Sequence, residues 1–391
     1  MINDARTDGS YIFVPYVNLK IDLGSGLKEL PEDMRDLIDS YDVSTEESGA
    51  TTLSFSIKDP NFTLLNSSIL TDEHTVSFEW GWANDWNNIA YYKNMYIALV
   101  EPSFGKDGYP TLNITCMDET HSMNREEKTR TFENMKRSTI AKHIFKEYGL
   151  RCVVEDSGEM AVDVEEKITQ SNQTDIAFLQ GLAEEVVGTK FICYVENGVG
   201  YFCKRDYGQE TIRDFHYRDE VGNDISSFKC KVNKESIKKY KTTADIDSET
   251  GVPFAGTCYS PTKNTHTQKD SIVITGSDRQ KTEEEISSEQ NSSSNNSAET
   301  SAEDKFDDVQ FEVCEGTLTP VVPIPLLPSR KCINILGVGA ALSGRYYIKS
   351  LSTTIDSSGI SQSVEVRKSE FFGTVRKMDD SRDGRPSALV R

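Results

Sequence analysis

A chain of 391 residues with 36% hydrophobic side chains, among them 16 Tyr and 17 Phe, has material for about two to four domains and reads as a β-rich globular protein. Its 63 acidic residues against 43 basic give a formal charge of −20, which argues against a surface that grips nucleic acid, because counterion release needs clustered Lys and Arg. No run reaches the roughly 18 apolar residues of a membrane helix, and the opening MINDARTDGS lacks a signal-peptide core, so a cytosolic product without membrane insertion is expected.

Five segments near the start alternate or are rich in β-branched and aromatic residues: Tyr11–Leu23, Thr51–Asp59, His74–Trp82, Ala90–Phe104 and Pro110–Asp118. Short strands at this spacing favour a closed barrel or a sandwich. Lys106-Asp107-Gly108 is the turn between the last two, and Lys28–Tyr41 is polar enough for a loop or one short helix. From Arg130 the period becomes helical, with Ser138 or Thr139 as cap, Ile140, Ile144 and Phe145 on one face, and Tyr148-Gly149 as the stop. A strand candidate, LRCVVE (Leu150–Glu155), follows.

The segment Thr174–Lys204 carries the sharpest local signal. Thr174 and Asp175 are N-cap types, while Phe178, Leu179, Leu182, Ala183, Val186 and Val187 form one apolar stripe, with Gln180, Glu184 and Glu185 on the wet side. Gly188 stands where a left-handed C-cap is needed, and Asn197-Gly198 between two alternating runs predicts a two-residue hairpin. That turn sets Tyr194 opposite Tyr201 and Cys193 opposite Phe202, so Cys203 projects from the other face and no Cys193–Cys203 disulfide is expected. From about Met123 to Lys204 the order is helix, strand, helix, hairpin, a separate α/β unit between β-rich regions. Strands return at Ser226–Asn233 and Lys238–Asp247, then at VQFEVCEGTLTP, Gly344–Asp356 and Ser361–Lys368. Ser277–Lys305 has almost no apolar side chains to offset its ordering entropy and reads as a mobile loop.

Candidates for chemistry are few. Among 63 acidic residues some pairs meet by chance, so Asp118/Glu119 and Glu184/Glu185 carry little weight as a glycosidase dyad. His143 and Glu147 lie one helical turn apart, without HExxH or further paired His, and are read as a surface contact rather than half a metal site. Trp80, Trp82 and Trp86 with Tyr91 and Tyr92 could form a sugar platform; core or interface is favoured, since Trp80 and Trp82 share a strand face. Gly337–Gly344 lacks the ending of a P-loop and is read as a tight loop between strands. The eight Cys (116, 152, 193, 203, 230, 258, 314 and 332) show no CxxC pair or metal-ligand spacing and read as reduced, mostly buried thiols. No residue is assigned to catalysis, to a metal or to a cofactor, and no enzyme is expected.

The order of three motifs resembles the baseplate hub proteins of contractile phage tails and phage-tail-like particles, the phage late control D family. They are Gln170–Phe202, with Gln, a polar pair, Asp and then FLxxLAxE leading into a strand; Gly105–Asp118; and Ser343–Lys368. The resemblance implies a mainly β fold with an α+β insert, that is, two tube-like β-barrels plus a small α/β domain. On this basis residues 1–122 are the first barrel, 123–206 the α/β insert domain, and 207–247 with 308–373 the split second barrel. Residues 248–307 form an insertion that contains the low-complexity loop 277–305, and 374–391 a flexible tail.

The resemblance also implies a homotrimer whose six barrels form a pseudo-sixfold ring between a hexameric tail tube and a trimeric central spike. The implied partners are the tail tube or a tube-initiator protein, the spike and other baseplate proteins, with no sequence-specific nucleic-acid binding. The implied location is the bacterial host cytoplasm during assembly and then the baseplate of a released virion or particle. The excess acid is read as keeping such an assembly soluble, an acidic lumen wall being the other reading. Two further readings stay open. A wall-carbohydrate-binding or wall-degrading tail component needs Trp80, Trp82 or Trp86 exposed in a cleft, and an effector-loading spike protein of a toxin-delivery system would dock its cargo at Ser277–Lys305.

Overall fold

The computed structural model describes residues 14–22, 24, 26–70, 73–106, 108–158, 167–186, 191–218, 221–232, 241–246, 253–258, 270–271, 314–339 and 341–368. Seven strands open the chain: β1 (Pro15–Asp22), β2 (Leu27–Glu29), β3 (Ile38–Glu46), β4 (Thr52–Lys58), β5 (Thr75–Trp82), β6 (Ile89–Ser103) and β7 (Thr111–Met117), with a short helix α1 (Glu32–Arg35). The middle holds α2 (Thr120–Met123), β8 (Glu127–Glu133), α3 (Arg137–Glu147), β9 (Arg151–Val154), β10 (Lys167–Thr174), α4 (Asp175–Glu184), β11 (Phe191–Glu196) and β12 (Val199–Lys204). The last part runs through β13 (Thr211–His216), β14 (Ile225–Val232), β15 (Lys241–Ile246), β16 (Pro253–Cys258), β17 (Asp270–Ser271), β18 (Cys314–Pro320), β19 (Cys332–Leu336), β20 (Gly344–Asp356) and β21 (Gly359–Lys368). The protein is mainly β, with an α+β insert.

Alternation decides which faces close. In β4, Leu53, Phe55 and Ile57 are buried while the residues between them are only half-buried, and β7 buries Leu112, Ile114 and Cys116 in the same way. Thirteen strands form one sheet. Its first half is ordered β1-β5-β6-β7-β4-β3, and its second half β13-β19-β20-β21-β18-β14. Counted in chain order within each half and setting β2 aside, both read first-fourth-fifth-sixth-third-second, so the halves repeat one strand order. They differ where β1 pairs with β5 antiparallel and β13 with β19 parallel. A seam joins them: β3 pairs antiparallel with the far part of β20, from Ser350↔Glu46 to Asp356↔Ser40, while the near part of β20 pairs with β19.

Each half covers its own core, one around Leu19, Leu53, Phe78 and Trp80, the other around Phe215, Ile333, Tyr346 and Val364. Ile355 and Ile360, at the tip of the β20–β21 hairpin, pack into the first core. A third core belongs to the insert, where Ile140, Ile144 and Phe145 of α3 and Phe178, Leu179 and Leu182 of α4 meet Cys193 and Phe202 of the β11–β12 hairpin.

The structure corrects several local expectations. Lys28–Tyr41 holds the short helix α1 but also β2 and the start of β3. IDSYDVSTE hides a strand because only Tyr41, Val43 and Thr45 alternate inward between polar neighbours. Arg130–Glu133 is strand, paired with β10, and α3 starts at Arg137 with Lys136 as N-cap and no side-chain cap bond. Ser138 instead meets Ser157, at 3.1 Å between hydroxyls. β13 and β19 were not foreseen. The loop expected at 277–305, the tail at 374–391 and the C-cap at Gly188 lie outside the described residues.

Candidate functional site

The hairpin forms as its turn chemistry requires. Asn197 (φ 49) and Gly198 (φ 77) take the left-handed conformations of a two-residue turn, with Tyr194 opposite Tyr201 and Cys193 opposite Phe202. Alternation then gives the hairpin two working faces. Phe191, Cys193, Val195 and Phe202 enter the insert core, and Gly200 there leaves room for the Phe145 ring, 2.4 Å from where a Cβ would stand. On the opposite face Tyr194 and Tyr201 stack with ring centroids 4.6 Å apart and planes 8° from parallel.

Arg330, from the second half, lies on that stack. Its guanidinium is 3.6 Å from the Tyr194 ring centroid, and Nη1 is 3.9 Å from Glu196 Oε2. The same fork donates from Nε to the Glu47 carbonyl at 2.9 Å and from Nη2 to the Glu46 carbonyl, at the end of β3. One buried cation therefore ties the insert, the first half and the second half together. Arg330 holds a left-handed backbone conformation (φ 67), and its own N–H donates to the Ile348 carbonyl at 2.9 Å. Burial raises the Tyr194 phenol far above its usual value, against the charge of Arg330, so the ring stays neutral.

The segment Glu46–Ser48 is held from other sides too. Arg205, just after β12, pairs with the Glu47 carboxylate at 2.5 Å, and Gln180 of α4 donates to the Ser48 carbonyl. Trp82 Nε1 donates to the Pro323 carbonyl at 3.1 Å, linking the end of β5 to the second half. Gln362 clamps that second-half loop from inside, accepting from Ile324 N–H at 2.9 Å and donating to its carbonyl at 3.0 Å. These are charge-assisted and buried hydrogen bonds that fix orientation between cores.

A second polar node lies inside the insert. Asp175, whose side chain has no exposed surface, accepts from Lys128 Nζ, Arg130 Nη2 and Tyr148 Oη, each at 2.6 Å, and from Gln170 Nε2 at 2.9 Å. Burial alone would raise its carboxyl, but the bonds from Lys128, Tyr148 and Gln170 and the charge of Arg130 outweigh it and hold the group below the usual aspartate range. Thr174 caps the same helix end, accepting from Ala177 N–H at 3.4 Å. The node explains why Gln170 and Asp175 stand where they do in the sequence motif.

The residues weighed for chemistry are placed elsewhere. Asp118 accepts from Thr51 N–H at 2.6 Å and from the Thr120 hydroxyl at 2.5 Å, binding β7 to the start of β4. Glu119 beside it is buried, and desolvation, with the charge of Asp118, raises its carboxyl. Glu185 lies 3.5 Å from Arg137. His143 contacts Glu147 at 3.2 Å on the exposed side of α3, as the surface reading expects, and Glu147 also takes both oxygens to Arg130. Trp80 is fully buried and Trp82 nearly so, whereas Trp86 is 64% exposed and edge-on to Tyr16 at 5.0 Å. Gly337–Gly344 connects β19 to β20, with Gly337 (φ 79) against the Tyr217 carbonyl. Among the described residues no group of three or more His, Cys, Asp and Glu is placed to hold a metal ion, and seven cysteines are free thiols. Sequence reasoning missed Arg330, whose only local signal is a basic residue two positions after Pro328 in a loop.

Similar solved structures come from phage tails and a secretion machine. A tail protein from Neisseria meningitidis MC58 superposes with a TM-score of 0.61 at 11% identity, over 91% of this chain and 97% of its own. The 43 kDa tail protein of prophage MuSo2 from Shewanella oneidensis gives 0.61 at 11% identity, over 90% and 98%. An E. coli component of the type VI secretion system, described as similar in structure to T4 bacteriophage tail proteins gp27 and gp5, gives 0.52 at 11% identity, over 86% and 75%. At such identities the likeness is one of fold. No curated protein matches the sequence. The family description that matches does not name the phage late control D family and states no activity. It is the Alg8 N-terminal domain, matched over residues 51–357 from β4 to the end of β20, well over half of the chain, and this protein belongs to that family.

Proposed function

We propose that this chain is the structural baseplate hub of a contractile tail or contractile bacteriocin, acting as a homotrimeric, pseudo-sixfold ring between a hexameric tail tube and a trimeric central spike. The observation that carries this reading is the repeated strand order together with the seam between the halves. Within one chain, the second strand of the first half (β3) pairs with the far part of the fifth strand of the second half (β20). The counterpart edges are β14, the second strand of the second half, and Ile97–Ser103, the far part of β6. Among the described residues β14 pairs only with β18, and Ile97–Ser103 only with β7 apart from one bond from the Ile97 N–H to the His74 carbonyl.

Three copies that place β14 against the neighbour's β6 would repeat the internal seam and close six half-sheets into a ring. The chemistry suits such pairing: Lys229 and Lys231 on β14 are exposed, as are Leu99 and Glu101 on β6. The fold shared with tail proteins supports a tail-associated role, and the junction at Arg330 supports one that is geometric and requires no catalysis. The tail tube or its initiator, the spike and other baseplate proteins are the proposed partners, and the released particle is the proposed location.

Sedimentation and cryo-electron microscopy of the full chain, alone and with tube and spike proteins, test this reading. A trimer that L99D or the K229E/K231E pair disperses is the expected result. A chain that stays monomeric with those partners present would overturn it.

A further inference from the structure

Two thiols on the edge of the second half lie in contact. Cys230 Sγ and Cys314 Sγ are 2.9 Å apart, across the antiparallel pair of β14 and β18. Cys230 stands opposite Gly316 and Cys314 opposite Val232, so the two sulfurs share a sheet face, offset by two residues. The others are arranged differently: Cys193 and Cys203 project from opposite faces of their hairpin, and Cys116 is buried in the first core. Cys314 is buried in the second core, while Cys230 is half-buried and packs against that core beside Phe228 and Val232. Either thiol can donate its S–H to the other, so the two share one hydrogen bond across the strands.

We propose that Cys230 and Cys314 are an oxidisable dithiol that closes to a disulfide between β14 and β18 when the folded protein meets a peroxide. Cys230, the more exposed of the two, gives up its thiol proton and attacks one oxygen of hydrogen peroxide, forming a sulfenic acid and releasing water. Cys314 then attacks the Cys230 sulfur, the S–OH bond breaks, and the hydroxide takes the Cys314 proton and leaves as a second water. Two thiols are oxidised and one peroxide is reduced. The sulfurs need to close by only about 0.9 Å to reach disulfide distance. The bond would hold β14, the last strand on its side of the described sheet, to β18 independently of their hydrogen bonds. The inference rests on the sulfur geometry and not on the proposed assembly.

The test treats the full-length folded chain with hydrogen peroxide, traps remaining thiols with N-ethylmaleimide in denaturant, and maps peptides by mass spectrometry. The expected result is the loss of two reactive thiols, a peptide linked through Cys230 and Cys314, and a Tm higher by about 3–5 °C that dithiothreitol reverses. C230S, at a half-buried site, should abolish the link and the Tm shift together. Full retention of thiols would overturn the proposal. So would Cys230 sulfinic acid without a link, or an equal yield of the link from the urea-unfolded chain.

Discussion

The two buried polar nodes differ in what they join. The Asp175 node gathers Lys128, Arg130, Tyr148 and Gln170, all within the insert, and satisfies one carboxylate from four sides. The Arg330 node gathers the ends of β3 and of the hairpin onto a loop of the second half, so one guanidinium is shared among three cores. The first is an internal lock on which the insert's own fold depends; the second is a staple between units that already have cores. That difference teaches that burial and charge alone do not say what a polar cluster does. The sequence separation of its members does.

Removing the lock should have the largest effect. Asp175→Ala leaves Lys128 and Arg130 beside an empty acceptor site and should cost about 3–5 kcal/mol. Hydrogen exchange should then rise throughout β8–β12 and α3–α4 while both half-sheets stay protected; equal loss in the half-sheets would merge the two nodes into one. Acid should act in the same place. Because the folded carboxyl of Asp175 is held below its unfolded value, its contribution is present above the ordinary aspartate range of about 4 and is lost as pH falls through the folded value. Acid titration followed by hydrogen exchange should therefore find the insert losing protection earlier in wild type than Asp175→Asn, relative to each protein's own neutral baseline.

Arg330→Ala should come next, at about 2–4 kcal/mol, through the lost carbonyl bonds and the stack on Tyr194. Here each core should keep its protection, while Glu46–Ser48 and the Tyr194 face of the hairpin become accessible to limited proteolysis. Arg330→Lys should rescue only part, since an ammonium cannot bond two carbonyls and cover a ring together. Gly200→Ala returns to the insert: the added Cβ meets the buried Phe145 ring, and a loss of about 1–3 kcal/mol should appear in α3 and the hairpin alone. Trp82→Phe is the smallest change, about 1 kcal/mol from one buried bond to Pro323, and should loosen the contact between halves without altering either core.

How far each region could be read in advance follows the same division. The Thr174 cap, the stripe of α4 and the Asn197-Gly198 hairpin were legible because their determinants lie within one or two turns of chain. Tyr194 opposite Tyr201 followed from the turn type, yet nothing local showed that Arg330 would cover them from more than a hundred residues away. β3 and β19 were missed for a related reason. IDSYDVSTE has a weak pattern of its own and is fixed as strand by β4 on one side and β20 on the other. Trp80 and Trp82 were placed on one face correctly, but one fills a core and the other bonds to the second half, which alternation cannot distinguish.

The sequence by itself determined the strands of strong alternation, the helix α4 with its cap, the hairpin register and the mainly β character, because these depend on side-chain period and turn conformation over a few residues. Only the tertiary structure decided that two halves repeat one strand order, that β3 and β20 form the seam between them, and that Arg330 and the Cys230–Cys314 contact exist at all. Those features depend on which distant strands become neighbours, and backbone hydrogen bonds that pair one strand with another carry no sequence code of their own.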